Sequence, residues 1–289
     1  MLKLLLKKQA QEWASFLYLS AAGGRRRSRA AIIGYAALLL YAAAAFGAMF
    51  WLLSDTLCAA LEPAGLSWLY FALMGLLAAF LGVFGSVFNT YSSLYLAKDN
   101  DLLLSMPIPV RTIMASRLLG VYLMGLMYSG VVILPAVIVY WIMISASAAA
   151  IAGGVLLVAL ISLFVLTLSC ALGWVVAKIS LKLKNKSFIT VFVSLVFLGV
   201  YYFFYFRAQT LIQDLVANAA VYGANIQRSA YPLYLFGRVG TGDPLAMGIV
   251  SAAFAALFLL LYRLIYLRRT RYYIGSEQII SKHGVLSRK

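Results

Sequence analysis

Residues 98–117 read KDNDLLLSMPIPVRTIMASR, a short polar and amphipathic interruption between two long apolar stretches. Asp99, Asn100 and Asp101 offer side-chain acceptors to the free N–H groups of a helix start, and their negative charge suits the positive end of its dipole. Leu102, Leu103, Leu104 and Met106 give that helix an apolar side. Pro107 and Pro109 disfavour helical geometry at Met106 and Ile108, so the helix stops after about one and a half turns. Pro109 also suits the opening of the next helix, because a first-turn residue has no use for its N–H. The segment reads as helix, break, helix, and as the piece that faces a partner.

Its surroundings are those of an integral membrane protein. Of the 289 residues, 64% are hydrophobic and only 11% are charged, and the mean hydropathy is +0.95, well outside the soluble range. The net charge of +16 comes from short basic runs between apolar spans, a pattern of membrane topology and not of a nucleic-acid surface. Cys58 and Cys170 are far apart and lack metal-ligand spacing, so they read as two small apolar residues.

Working outward, the spacing predicts spans at about 30–53, 67–96, 118–144, 149–177, 188–206 and 246–262. The second, Ser67 to Leu96, runs to about 45 Å at helical rise, against a hydrocarbon core of about 30 Å. Its inner end should project or tilt, and the polar, uncharged Ser86 and Asn89 to Ser93 there suit helix contacts or a wet vestibule. Gly75, Gly82 and Gly85 should allow close helix approach. Pro135 is expected to kink the third span.

The connections follow. Residues 1–29 form a cytoplasmic unit: a helix with Leu2, Leu5, Leu6, Trp13, Phe16 and Leu17 on one stripe lies in the inner interface, and the Arg25–Arg29 cluster links it to the first span. Ser54 to Leu66, with Asp55, Glu62 and Pro63, is an outer loop. Ser145 to Ala148 is a short outer turn, and the loop carrying Lys178, Lys182, Lys184 and Lys186 lies inside. The fifth span ends in an aromatic belt, Tyr201 to Phe206. The outer segment 207–245 contains an amphipathic helix around Gln209 to Ala220, then AYPLYLFGRVGTGDP, which dips into the outer leaflet before the sixth span. Residues 268–289 form a cytoplasmic tail. All but Arg207, Arg228 and Arg238 of the 24 lysines and arginines fall inside, while the eight acidic residues divide evenly. That is the positive-inside bias, with both termini cytoplasmic.

The six assigned spans, which lie in a transmembrane domain of residues 30–267, contain no Asp, Glu, Lys, Arg or His themselves, which disfavours a proton-coupled carrier. The single histidine, His283, lies in the tail, so no zinc constellation or Ser/His/Asp triad is expected. A G-x-x-x-x-G-K-[ST] phosphate loop is also missing, so energy must come from a partner.

The long second span followed by KDNDLLLSMPIPVRTIMASRLLGVYL resembles permeases of the ABC-2 type exporter superfamily, as do the N-terminal amphipathic helix, the six-span layout and YPLYLFGR before the last span. The resemblance implies an all-α, polytopic permease of the bacterial plasma membrane that is not itself an enzyme. It makes Lys98, Asp99, Asn100, Asp101, Leu102, Leu103, Leu104, Ser105 and Met106 a cytoplasmic coupling helix that docks on an ABC ATPase subunit. Asp99 and Asp101 would make polar contacts there, and Leu102 to Leu104 an apolar footing. ATP and Mg would be held by that partner, and no cofactor by this chain. The N-terminal stripe would be the family's connecting helix. A second six-helix unit is implied, either another copy or the second half of a longer permease.

Plainer readings of the same residues remain. The leucines of 102–104 suit an interfacial loop dipping into lipid, and Arg111 and Arg117 suit headgroup anchors. A non-transporting scaffold or assembly factor is the alternative function. A secondary carrier is the third, with Asn89 as an uncharged site. The substrate is not legible.

Overall fold

The computed structural model describes residues 8, 11, 28–95, 110–144, 147–182, 195, 198–199, 202–203, 206–207, 210, 214, 217–261 and 263. Seven α-helices organise them: α1 Arg29–Leu61, α2 Ser67–Thr90, α3 Val110–Ile144, α4 Ala148–Lys182, α5 Ala219–Ser229, α6 Tyr231–Gly240 and α7 Pro244–Leu261. No strand occurs among the described residues. Helices α1 to α4 are each long and apolar enough to cross a membrane, and α6 with α7 pass the same test together as a pair bent by 117°. The architecture is that of a polytopic helical membrane protein with four such helices, or five counting the bent pair. The predicted N-terminal helix and most of the predicted fifth span lie outside the described residues.

Helix α1 begins where Ser28 accepts a hydrogen bond from the Ala31 N–H through its side chain, at 3.3 Å. It does not stop at Leu53. The stretch Ser54–Leu61, predicted as part of an outer loop, continues the helix because Leu57, Cys58 and Leu61 recur on one face and are buried. Asp55 sits exposed on the other side, and one charge does not break a helix. The chain turns only at Gly65, with φ +69°. There the Leu66 N–H reaches the Leu61 carbonyl at 3.0 Å and the Gly65 N–H reaches that of Glu62 at 2.9 Å, a Schellman closure.

Helix α2 is the axis of the fold and packs against α1, α3, α4 and α6. Its close neighbours explain its glycines. A Cβ at Gly82 would lie 2.7 Å from Val165 of α4, and one at Gly85 would lie 2.7 Å from the Tyr128 ring of α3. At Gly75 the Phe236 ring of α6 is as near, so the expected close approaches are present. Toward the N-terminal end of α2, Tyr70 donates to the Ala136 carbonyl of α3 at 2.8 Å, and Tyr140 stands edge-on to Phe71 with ring centroids 4.6 Å apart.

Helix α3 starts at Val110, directly after Pro109 as expected and eight residues before the predicted span, and Pro135 lies inside it. Ser147 caps α4 by accepting from the Ala150 N–H, and α4 carries on past the predicted boundary at Ala177 to Lys182. Half of the amphipathic helix predicted at Gln209–Ala220 lies outside the described residues. Helices α5 and α6 both lie in segment 207–245, and Ala219, Gly223 and Ile226 of α5 face the start of α2 near Leu66 and Trp68.

Buried hydroxyls hold α2 to α4. Ser86 donates to the Gly82 carbonyl at 2.6 Å, and its oxygen lies 2.6 Å from that of Ser169. With the Ser86 proton on that carbonyl, Ser169 donates to Ser86. Replacing Ser169 by Ala is expected to destabilise the bundle by about 1 kcal/mol, the scale of an interhelical hydrogen bond in a membrane. Unfolding of the detergent-solubilised protein by sodium dodecyl sulfate checks it.

Candidate functional site

The predicted docking residues Lys98, Asp99, Asn100, Asp101, Leu102, Leu103, Leu104, Ser105 and Met106 lie outside the described residues. What the structure describes is the frame that carries them. After Thr90 the α-ladder of α2 gives way to a π-helical turn, Tyr91–Tyr95, and α3 begins at Val110.

Local chemistry leads into that turn. Ser86 and Thr90 each return a hydroxyl to the carbonyl four residues earlier, and Ser92 returns its own to that of Asn89, three residues earlier, at 3.0 Å. Such back-bonding competes with the helix ladder and bends it. Thr90 is buried, so this part of the polar C-terminal end of α2 makes helix contacts. Ser92 is exposed.

Two side-chain contacts then fix the turn. Arg117, in the second turn of α3, donates through Nη1 to the carbonyl of Ser93. Leu94 is buried in a small cluster with Val121 of α3 and Leu166 and Cys170 of α4, backed by Leu118, Tyr122, Leu163 and Phe258. The end of α2 and the start of α3 are thereby held side by side, so segment 96–109 leaves and re-enters the bundle at one end. The C-terminal halves of α4 and α7 share that end through Cys170 and Phe258. Lys178 adds a cation there, with Nζ 3.9 Å from the centre of the Trp174 ring.

Arg117 therefore does more than the predicted headgroup anchor, because its guanidinium is engaged with the protein backbone. The sequence gives little sign of this. An arginine a few residues into a helix that follows a proline break is the available signal, but its acceptor is a main-chain oxygen 24 positions away, which leaves no mark in the residue pattern. Nothing is described of the Arg111 side chain.

A second built feature closes the opposite end of the bundle. Helix α6 lies across α2, with Gly237 seated on the main-chain carbonyl of Trp68 and Gly240 on the Phe71 ring. Tyr234 meets the Trp68 ring edge-on at 4.8 Å. The chain then reverses through Gly242, whose φ of +86° is in the left-handed region and which packs on the backbone of Ala149. Asp243 ends the turn. One carboxylate oxygen accepts from the Leu245 N–H at 3.1 Å as the N-cap of α7, and the other pairs with Arg238 at 2.8 Å. Pro244 occupies the first helical position, where its missing N–H is no loss. The same aspartate thus caps α7 and ties it to the last turn of α6.

Among the described residues no three His, Cys, Asp or Glu side chains gather as metal ligands. The two cysteines are buried in different clusters and are not joined to each other. No family model, curated protein or solved structure matches the chain.

Proposed function

We propose that this chain is the membrane-spanning permease subunit of an ABC-2 type exporter, moved by a separate ATPase through residues 98–106. The observation that carries the reading is the pattern DLLLSMPIP directly after an overlong second span, in a chain with no phosphate loop of its own. Two features of the fold support it. Arg117 and Leu94 clamp both ends of segment 96–109 to one end of the bundle, which suits a stub that receives force. The stretch YPLYLFGR forms a short helix folded back sharply on the helix that follows, as a re-entrant element before a last span would.

In this reading the chain has six spans with both ends in the cytoplasm of a bacterial plasma membrane. The N-terminal stripe is an interfacial connecting helix, and the coupling helix begins at Lys98. Asp99 and Asp101 contact basic or N–H groups of the ATPase, and Leu102 to Leu104 seat in an apolar groove. ATP and Mg bind on the partner. A second six-helix unit completes the pathway, and alternate access follows from the ATPase pushing on two coupling segments.

The test is reconstitution. The full chain in proteoliposomes, with the P-loop ATPase that copurifies with it, is expected to raise the ATPase rate at least about fivefold, in the range of coupling energies of 1–3 kcal/mol. An ATPase rate indifferent to the chain, or no copurifying ATPase, would leave the scaffold reading in its place.

A further inference from the structure

We propose that the π turn Tyr91–Tyr95 is a two-register joint, latched by Arg117, through which movement of segment 96–109 reaches the bundle. The transmitting role rests on the reading of residues 98–106 as a partner-docking segment; the latch itself rests on the packing alone.

A π turn fits one more residue into the helix than the α ladder does, and it persists only where its surroundings hold it. Two of the contacts that hold it can be named. Arg117 supplies a charged donor to the Ser93 carbonyl, a stronger hydrogen bond than a neutral donor gives. Leu94 plugs a cluster whose buried members among the described residues are Leu94, Val121, Leu166 and Cys170. The outer three-quarters of α2, by contrast, is anchored by Leu69, Tyr70, Phe71, Met74, Ala78 and Val83 in the large core. The helix is thus set in the large core up to about Val87, and beyond it by Thr90, which is buried, and by Leu94 in the smaller cluster.

The run Ser86, Thr90 and Ser92 adds hydroxyls that substitute for ladder partners as the ladder changes. Returning the turn to α geometry moves every later residue by one position, about 1.5 Å along the axis and about 100° around it. Leu94 would then leave its cluster and Ser93 would lose Arg117. One extra residue therefore converts a small pull on segment 96–109 into a discrete change in the packing of α2 against α3 and α4. Arg117 sets which register is favoured and is a positioning residue, since it acts through the Ser93 carbonyl.

Hydrogen exchange on the full chain in lipid nanodiscs tests the latch directly. Arg117→Gln is expected to speed exchange of amides 91–95 at least about tenfold (about 1.4 kcal/mol) while amides 70–87 stay within about twofold of the unmodified chain. Arg117→Lys, which keeps a charged donor, should restore most of the protection. Deleting Ser92 removes the extra residue and closes an α ladder, so its neighbours should exchange more slowly than in the unmodified chain. With the copurifying P-loop ATPase, the Ser92 deletion should bind within about twofold of normal yet lose at least about tenfold of the stimulated hydrolysis. Unchanged exchange in Arg117→Gln overturns the latch, as does unfolding of the whole bundle in both Arg117→Gln and Arg117→Lys, which would make Arg117 a stability residue. Normal stimulation by the deletion chain overturns the joint. If no ATPase copurifies, the exporter reading falls by itself and the exchange results still decide the latch.

Discussion

Replacing Gly237 by alanine should destabilise the protein by about 2–3 kcal/mol, although a single methyl group is added and alanine is the better helix former. Gly237 lies in α6 directly on the Trp68 carbonyl, and a Cβ there would overlap that oxygen and crowd the Ala72 methyl. The obstruction is backbone, which cannot swing aside as a side chain does. Helix α6 must lift from α2, separating Tyr234 from Trp68 and disturbing the ring stack of Phe236 on Phe254 at 6.2 Å. Gly34→Ala and Gly47→Ala in α1 are the matched controls. Nothing lies within 4 Å of a Cβ at either position, so there the same change should be neutral or stabilise by up to about 1 kcal/mol. Denaturation in mixed micelles reads all three. Opposite signs support the packed corner, and equal small effects would mean that α6 does not seat on α2 as described.

The second large effect concerns the docking residues. Asp99→Lys with Leu103→Asp should weaken binding of the ATPase at least about a hundredfold, which is about 2.7 kcal/mol. Burial of one leucine anchor contributes about 1.5–3 kcal/mol, and reversing a charge opposite a complementary surface slows encounter as well. The bundle itself should be spared. Asp99 and Leu103 belong to a segment between the π turn and α3, and both of the large core's anchoring helices, α2 and α4, are built without it. Affinity of the nanodisc-embedded chain for the copurifying ATPase, with the micelle unfolding curve as a check on folding, measures the effect.

Much of the fold was legible because a helix crossing about 30 Å of hydrocarbon needs about 20 apolar residues, and hydropathy records that directly. The bodies of α1 to α4 and α7 lie where their apolar runs do. Their ends were not so plain. Asp55 and Glu62 read as a loop between spans, yet α1 holds its geometry to Leu61 because the Leu57, Cys58 and Leu61 face is buried and only Gly65 permits the turn. Hydropathy marks where lipid can be met, and backbone hydrogen bonding marks where a helix stops.

The outer corner shows a similar gap. Gly and Pro in FGRVGTGDP suggested irregular chain, but Asp243 before Pro244 is a helix-start signature, and α7 begins there and not at Ala246. The Arg238–Asp243 pair and the 117° bend follow from that cap together with Gly242. At the inner end, helix propensity gives no warning of a π turn, because the turn depends on Arg117 and on a cluster drawn from α3, α4 and α7. The candidate docking residues were nominated by side-chain type and by their place after the second span. The structure adds their frame.

The central claim is that residues 98–106 meet a cytoplasmic ATPase. A photo-crosslinking amino acid at Leu103, activated in intact membranes of the source cells, tests it most directly. The account predicts one protein adduct, whose partner carries a P-loop and is reached from the cytoplasmic side. Adducts with lipid alone would contradict it and return Leu102 to Leu104 to an interfacial loop.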